Sequence, residues 1–402
     1  MVNTKKILYY TSNYLRSIAD SVYLSKEQKK EVSFLNIGKN KIKNPKYAAV
    51  FYVTDSIPYF LHDELDNCSF LLNHSMYWES IEIIRVLNDL GYVVDYYDCR
   101  EQHIINDAGK YNLIIDERNY LNEFNFNLKA TKIFYGTGIQ WLFHNTAEYK
   151  RLLDFRLRTG ISLPTERQVQ PTKSEELAQY STYFGGEFQR NLLSYPNRGV
   201  QLSLSSSFLP EKKEKNIKTS RQNILWIGSR GYIHKGLDIV LEAFKLQKDF
   251  NLHICTNLHQ EPLFFDWFNK NFSRCPNIFY HGWMNVNDTI FHQLAENCIA
   301  TVYCSAAEGG AGSIIQAMQF GCIPLVNETT ALSAQEIGFF LKGDTFGELV
   351  SEINKTLSYI SGMSDSELIE KSGLVREYAN KNHSRSAYTT SLKNLFKKLV
   401  IE

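Results

Sequence analysis

Asn223-Ile224-Leu225-Trp226-Ile227-Gly228-Ser229-Arg230-Gly231-Tyr232-Ile233-His234-Lys235-Gly236 is the stretch on which the reading of the fold turns. Ile224 to Ile227 form an apolar run of strand length, and Gly228 closes it. Beyond Gly236, the residues Leu237, Val240, Leu241 and Phe244 keep the i, i+3, i+4, i+7 spacing of an amphipathic helix. A strand, a glycine-bearing loop and a helix in succession make half of a crossover unit, and the chain repeats that unit downstream. Strands are expected at 251–255, 277–281, 299–305 and 323–326, with helices near 263–272, 288–295 and 313–320. The strand runs do not alternate apolar with polar residues, so both faces are buried, which is the mark of a parallel, doubly wound sheet.

The rhythm also extends upstream. Strands are expected at 48–54, 92–97, 112–115 and 132–135, and a helix at 76–90, with Ser75 as its cap, Glu79 in its first turn and Gly91 at its end. Glu211 to Arg221 is charged and almost free of apolar residues, as an exposed connector is. The fold class is therefore α/β, with two doubly wound, Rossmann-like parallel sheets facing across a cleft. The expected division is 1–215 for the first domain and 216–385 for the second, with a terminal helix at 386–402. The least readable segments are 1–44 and 340–385.

Composition fits this plan and narrows the partners. A chain of 402 residues suits two or three domains, and 44% hydrophobic with 22% charged residues is ordinary for a globular protein. A formal charge of +1 gives no global reason to expect nucleic acid. Tyr at 24 and Phe at 25 against Pro at 9 suit packed cores or planar ligands, and composition does not choose between them. The 7 cysteines contain no CxxC pair and sit in or beside apolar runs, so reduced, structural thiols are expected. No stretch approaches the ~18 apolar residues of a membrane span. The residues after Met1 turn polar before any signal-like run, which predicts a cytoplasmic protein.

Two loops carry the chemistry. In the first, Gly228, Ser229 and Gly236 allow close backbone approach, and Arg230 and Lys235 supply fixed positive charge at a helix start, an arrangement suited to phosphate. The bland alternative is a solvated turn. In the second, Glu308-Gly309-Gly310-Ala311-Gly312-Ser313 opens a helix that carries Gln316 and ends at Gly321-Cys322-Ile323-Pro324. At 1.5 Å per residue, Glu308 and Gln316 stand up to about 12 Å apart, on the scale of a nucleotide sugar. Alternatively, Glu308 complements the helix dipole and Gln316 lies on a solvated face.

Taken in order, the Arg230-x4-Lys235-Gly236 loop, the Glu308-x7-Gln316 segment and the Gly321 to Pro324 turn resemble the retaining GT-B glycosyltransferases of the "glycosyl transferases group 1" family. The resemblance is carried by residues 223 to 330. Upstream, the helix between Ser75 and Gly91 and Tyr135-Gly136-Thr137-Gly138 are similar to that family's acceptor domain. It implies that Arg230 and Lys235 bind a diphosphate and that Glu308 meets donor-sugar hydroxyls. Gly309 and Gly310 would present amides, and Ser313 would line the donor site. His281-Gly282-Trp283-Met284 stands where the family lets backbone and an apolar side chain meet the nucleobase, with a place in the core as the equal alternative for Trp283. Gln316 stands where the family has a second glutamate for the ribose; an amide offers one acceptor and one donor where a carboxylate accepts twice.

The resemblance further implies front-face transfer with retention, the departing phosphate deprotonating the acceptor. No Asp-x-Asp motif occurs, so fixed cations rather than a metal are expected to stabilise the leaving group, with no cofactor. The expected partners are a nucleotide-diphosphate sugar and a glycan or glycolipid acceptor, with cell-surface polysaccharide synthesis as context and no nucleic acid. His74, first, and His144 are the acceptor-side candidates, with His62 behind them. The basic amphipathic end from Ser391 to Leu399 reads either as a helix packed on the first domain or as a peripheral membrane contact. Two rivals stand beside the enzyme. One is a non-catalytic GT-B binding or partner protein, motivated by Gln316. The other is a Rossmann oxidoreductase, against which the missing G-x-G-x-x-G turn speaks.

Overall fold

The computed structural model describes residues 32–65, 68–206, 210, 213–332 and 337–401. The stretch on which the cytoplasmic expectation rests lies outside the described residues, as does part of the connector. Two sheets form the molecule. The first has seven strands in the order β1-β3-β2-β4-β5-β6-β7: β1 (Ser33–Ile37), β2 (Lys46–Tyr52), β3 (Tyr92–Asp98), β4 (Leu113–Asp116), β5 (Thr131–Phe134), β6 (Tyr180–Tyr183) and β7 (Gly199–Gln201). Only β1 runs antiparallel, against β3, with a register break between Phe34 and Ile37. The second has six parallel strands in the order β10-β9-β8-β11-β12-β13: β8 (Asn223–Ile227), β9 (Asn251–Cys255), β10 (Ile278–Gly282), β11 (Ala300–Tyr303), β12 (Ile323–Asn327) and β13 (Phe339–Leu341).

The longer helices are α1 (Ser75–Asp89), α2 (Trp141–Thr159), α3 (Leu237–Leu246), α4 (Pro262–Phe272), α5 (Thr289–Glu296), α6 (Gly312–Gln319), α7 (Phe346–Gly362), α8 (Asp365–Asn382) and α9 (Arg385–Ile401). Helix α1 departs from its expected start. Its cap is His74, whose Nδ1 accepts from Met76 N at 3.2 Å, and Ser75 is the first helical residue. Glu79 does not serve the helix dipole in solvent. It is buried, and its Oε1 accepts from Ser205 N at 3.3 Å and Ser205 Oγ at 2.8 Å. Burial raises its pKa to about 7, against the pull of Ser205.

Two helices cross between the halves. From the first half, α2 sends Phe155 into the core of the second sheet, Arg151 donates to Cys304 O at 3.1 Å, and Arg158 pairs with buried Asp238 at 2.6 Å. From the chain end, α9 buries Tyr388, Leu392, Leu395 and Phe396 in the core of the first sheet. There Tyr388 and Tyr135 share a buried hydroxyl hydrogen bond of 2.8 Å, and Thr389 donates to Glu82 at 2.7 Å. All seven cysteines are free thiols. No helix among the described residues is long and apolar enough to cross a membrane.

Candidate active site

Strand β8 ends at Ile227, and the loop after it folds back as a compact turn that reaches Tyr303 of β11. Gly236 has φ +70°, and a Cβ there would lie 2.3 Å from Cys304 O, so only glycine brings this turn onto the strand end. Two amides of the loop are already used. Gly231 N and Tyr232 N donate to Glu261 Oε1 at 2.6 and 3.2 Å, and burial raises Glu261 to about 7 despite them. What the loop turns inward is the side chain of Lys235.

Lys235 Nζ donates to Tyr303 Oη and to Glu308 Oε1, both at 2.9 Å. The Tyr303 hydroxyl donates to the same Oε1 at 3.1 Å, and Ser305 Oγ stands 3.4 Å from it while also serving His234 O. The hydrogen bonds on the carboxylate thus converge on Oε1. Among the described residues Oε2 takes none, and the side chain keeps 15% of its surface open. Burial alone would favour the neutral acid; Lys235 and Arg167 outweigh it and hold Glu308 at about 2, ionised at any ordinary pH.

Beneath this pair two imidazoles stack, His144 of α2 on His234 of the loop, with ring centroids 4.6 Å apart. Each donates Nε2–H to a carbonyl at 2.7 Å, His144 to Arg167 O and His234 to Ala307 O. Burial pushes His234 down to about 3 and lowers His144 as well, so both rings are neutral. The segment Glu166-Arg167 is pinned from below: buried Glu148 Oε1 accepts from both backbone amides at 2.8 Å.

Arg230 lies at the rim, 54% exposed, and donates Nε to Glu166 Oε2 at 2.7 Å. Ser229 is exposed, and Gly228 lies over Trp226 and the Lys235 stem. At the start of α6, Gly309 meets the first half backbone to backbone; a Cβ there would lie 2.6 Å from Thr137 O. Ser313 lies near the Tyr303 hydroxyl, and Gln316 is 4% exposed, which removes the solvated-face alternative for it. Trp283 is 59% exposed and free of the core, while Met284 packs on Cys255, sulfur to sulfur at 3.4 Å. His74 serves α1 as its cap, and His144 is sealed under the loop.

The structure therefore gathers Lys235, Tyr303 and Glu308 in one place, with Ser313 near Tyr303 and exposed Arg230 beside Glu166, while Trp283 is exposed just past the end of β10. Sequence reasoning missed Tyr303, His234, Glu261 and Arg167. Tyr303 and His234 stood inside stretches already singled out; Arg167, in a segment without regular structure, had no local signal at all. A separate hollow of about 520 Å³ lies at the amino ends of β8 and β9, lined by Asn223, Asn251, Arg221 and Asp365, and holds none of these groups.

No family profile and no curated protein sequence matches the chain. Among solved structures it is similar to a glycosyltransferase from Rickettsia africae, at 12% identity over 89% of this chain and 99% of that one, with a TM-score of 0.55. It is also similar to TarM, at 14% identity over 72% of this chain, with a TM-score of 0.48, and spans only 54% of TarM's length. A third is WaaG, a glycosyltransferase involved in lipopolysaccharide biosynthesis, at 12% identity over 88% of this chain and 99% of WaaG, with a TM-score of 0.48. The first of these carries the assignment: the chain has the GT-B fold.

Proposed function

We propose that this protein is a glycosyltransferase that moves a sugar from a nucleotide-diphosphate donor to a glycan or glycolipid acceptor, with retention and without a metal. Residues 216–385 form the donor side and residues 1–215 the acceptor side. The observation that carries the reading is the Glu308 carboxylate, fixed by Lys235 and Tyr303 on Oε1 with Oε2 unspent at a glycine-rich helix start. A carboxylate so held accepts from sugar hydroxyls and cannot donate a proton at neutral pH, since its pKa is about 2.

The chemistry follows from charge. Breaking the sugar–phosphate bond puts negative charge on the departing diphosphate and positive charge on the anomeric carbon. Lys235 has three N–H groups, two of them given to Tyr303 and Glu308. The third meets a phosphate oxygen, Gly309 and Gly310 present their amides to the same group, and Arg230 closes the rim. Glu308 tolerates the cationic sugar. Buried Gln316 takes the ribose side, and exposed Trp283 offers a face to the base. Polysaccharide assembly at the cell surface is the context this reading favours.

Gln316 favours one second reading, a GT-B protein that binds a donor without turnover. Incubation with UDP-, GDP- and ADP-sugars and a panel of acceptors, followed by mass spectrometry, separates the two. A product of added sugar mass supports the enzyme; binding with no product from any pair sinks it in favour of the second reading. The anomeric configuration of the product, read by NMR, tests retention.

A further inference from the structure

Arg167 belongs to the first half of the chain but lies at the donor pair of the second. Its stem crosses Gly231: a Cβ on that glycine would fall 2.4 Å from Arg167 Cγ and 2.7 Å from Cδ. The backbone at this point has no freedom, because Arg167 N donates to Glu148 Oε1 and Arg167 O accepts from His144 Nε2. Arg167 also sits close enough for its charge to act on Lys235, Glu308, Tyr303, His74 and His144. Yet among the described residues it pairs with no carboxylate, and its Nε is buried without a hydrogen-bond partner. A guanidinium N–H left unsatisfied in such a place is costly unless a ligand completes it.

The neighbouring residue sharpens the contrast. Glu166 turns outward and holds Arg230 at the rim, so the arginine of the loop is directly paired, whereas the arginine from the first half makes no direct ion pair among the described residues. Lys235, for its part, has already given two N–H groups to the protein. The site therefore holds one cation that is unspent and built in.

We propose that Arg167 is a diphosphate-binding residue of this site, reaching the donor's phosphate oxygens beside Lys235, with Arg230 as the outer cation. This rests on the donor-binding reading above. It also makes the site composite: the segment of the first half that follows α2 supplies a donor ligand, and Gly231 is the residue that lets its stem pass.

The test is calorimetric titration of the full chain with UDP, GDP, ADP, the corresponding nucleosides and inorganic pyrophosphate. Arg167→Met keeps the stem over Gly231 and removes the charged fork. It is expected to lose tenfold or more in affinity for the preferred nucleoside diphosphate and for pyrophosphate, with nucleoside affinity unchanged. Arg230→Gln is expected to lose less. Arg167→Lys, which keeps the charge, covers the case in which the methionine variant does not fold; it should recover part of the affinity and still bind at least threefold weaker than wild type. Diphosphate affinity within twofold of wild type in either variant, at an unchanged thermal midpoint, overturns the role of Arg167 alone. A wild-type protein that binds none of the diphosphates overturns the donor reading together with it.

Discussion

Glu308 and Lys235 are each other's condition. Two charges this deep are stable only as a pair, so Lys235→Met should cost about 3 kcal/mol or more of folding stability by leaving the carboxylate alone. It should also slow sugar transfer by about 100-fold or more, because the leaving diphosphate loses a fixed cation; thermal melts and a transfer assay read the two effects separately. The imidazoles set a pH response. His234 has its pKa depressed from 6.5 to about 3, and His253 and His383 from 6.5 to about 4, in each case first by burial. Below 6.5 the unfolded chain takes up protons that these folded imidazoles refuse, so their contribution to stability is full above that pH and is lost toward 3. His234 alone accounts for about 2 kcal/mol by pH 5. Glu79 and Glu261, raised to about 7, act in the opposite sense, since their protonation favours the folded chain as the pH falls. The midpoint of the wild type should therefore drop more steeply between pH 6.5 and 4 than that of His234→Asn; equal slopes in the two proteins would contradict the assignment.

At the level of elements, the second sheet was legible because its strands are continuous apolar runs bounded by glycine and punctuated by amphipathic helices. Its first strand, expected from Asn223, begins there. Strands β7 and β13 are too short for any period to register, and β6, Tyr180-Ser181-Thr182-Tyr183, has no aliphatic residue to mark it. Helices α7 and α8 escaped, although each opens with a capping box, Thr345 with Glu348 and Ser364 with Glu367. The site was half legible. Lys235 and Glu308 were visible from their motifs, but no local pattern announces that α2 will cross to the second sheet and set Arg167 beside them. That crossing can be tested through Glu148, which holds both the Glu166 and Arg167 amides. Glu148→Ala should cost about 2 kcal/mol and weaken nucleoside-diphosphate binding without touching the ligand. A variant that melts earlier yet binds as wild type would separate the anchor from the site.

Over the whole molecule, the boundary between halves is interleaved. The range 1–215 contributes Phe155 to the second core, and the last helix contributes four side chains to the first. A fragment ending at 384 lacks Tyr388, Leu392, Leu395 and Phe396 and exposes the apolar surface they cover. It should appear in the aggregate or void fraction on size exclusion, whereas Tyr388→Phe, which loses only the hydroxyl pair, should stay soluble and cost about 1 kcal/mol.

The Tyr135–Tyr388 contact, between residues 253 positions apart, also bears on how the protein is made. The first half emerges from the ribosome long before its closing helix, and at roughly 5–20 residues per second it waits on the order of ten seconds or more with an open apolar face. Synthesis therefore passes through a stage at which the first sheet stands without the apolar cover that α9 later supplies.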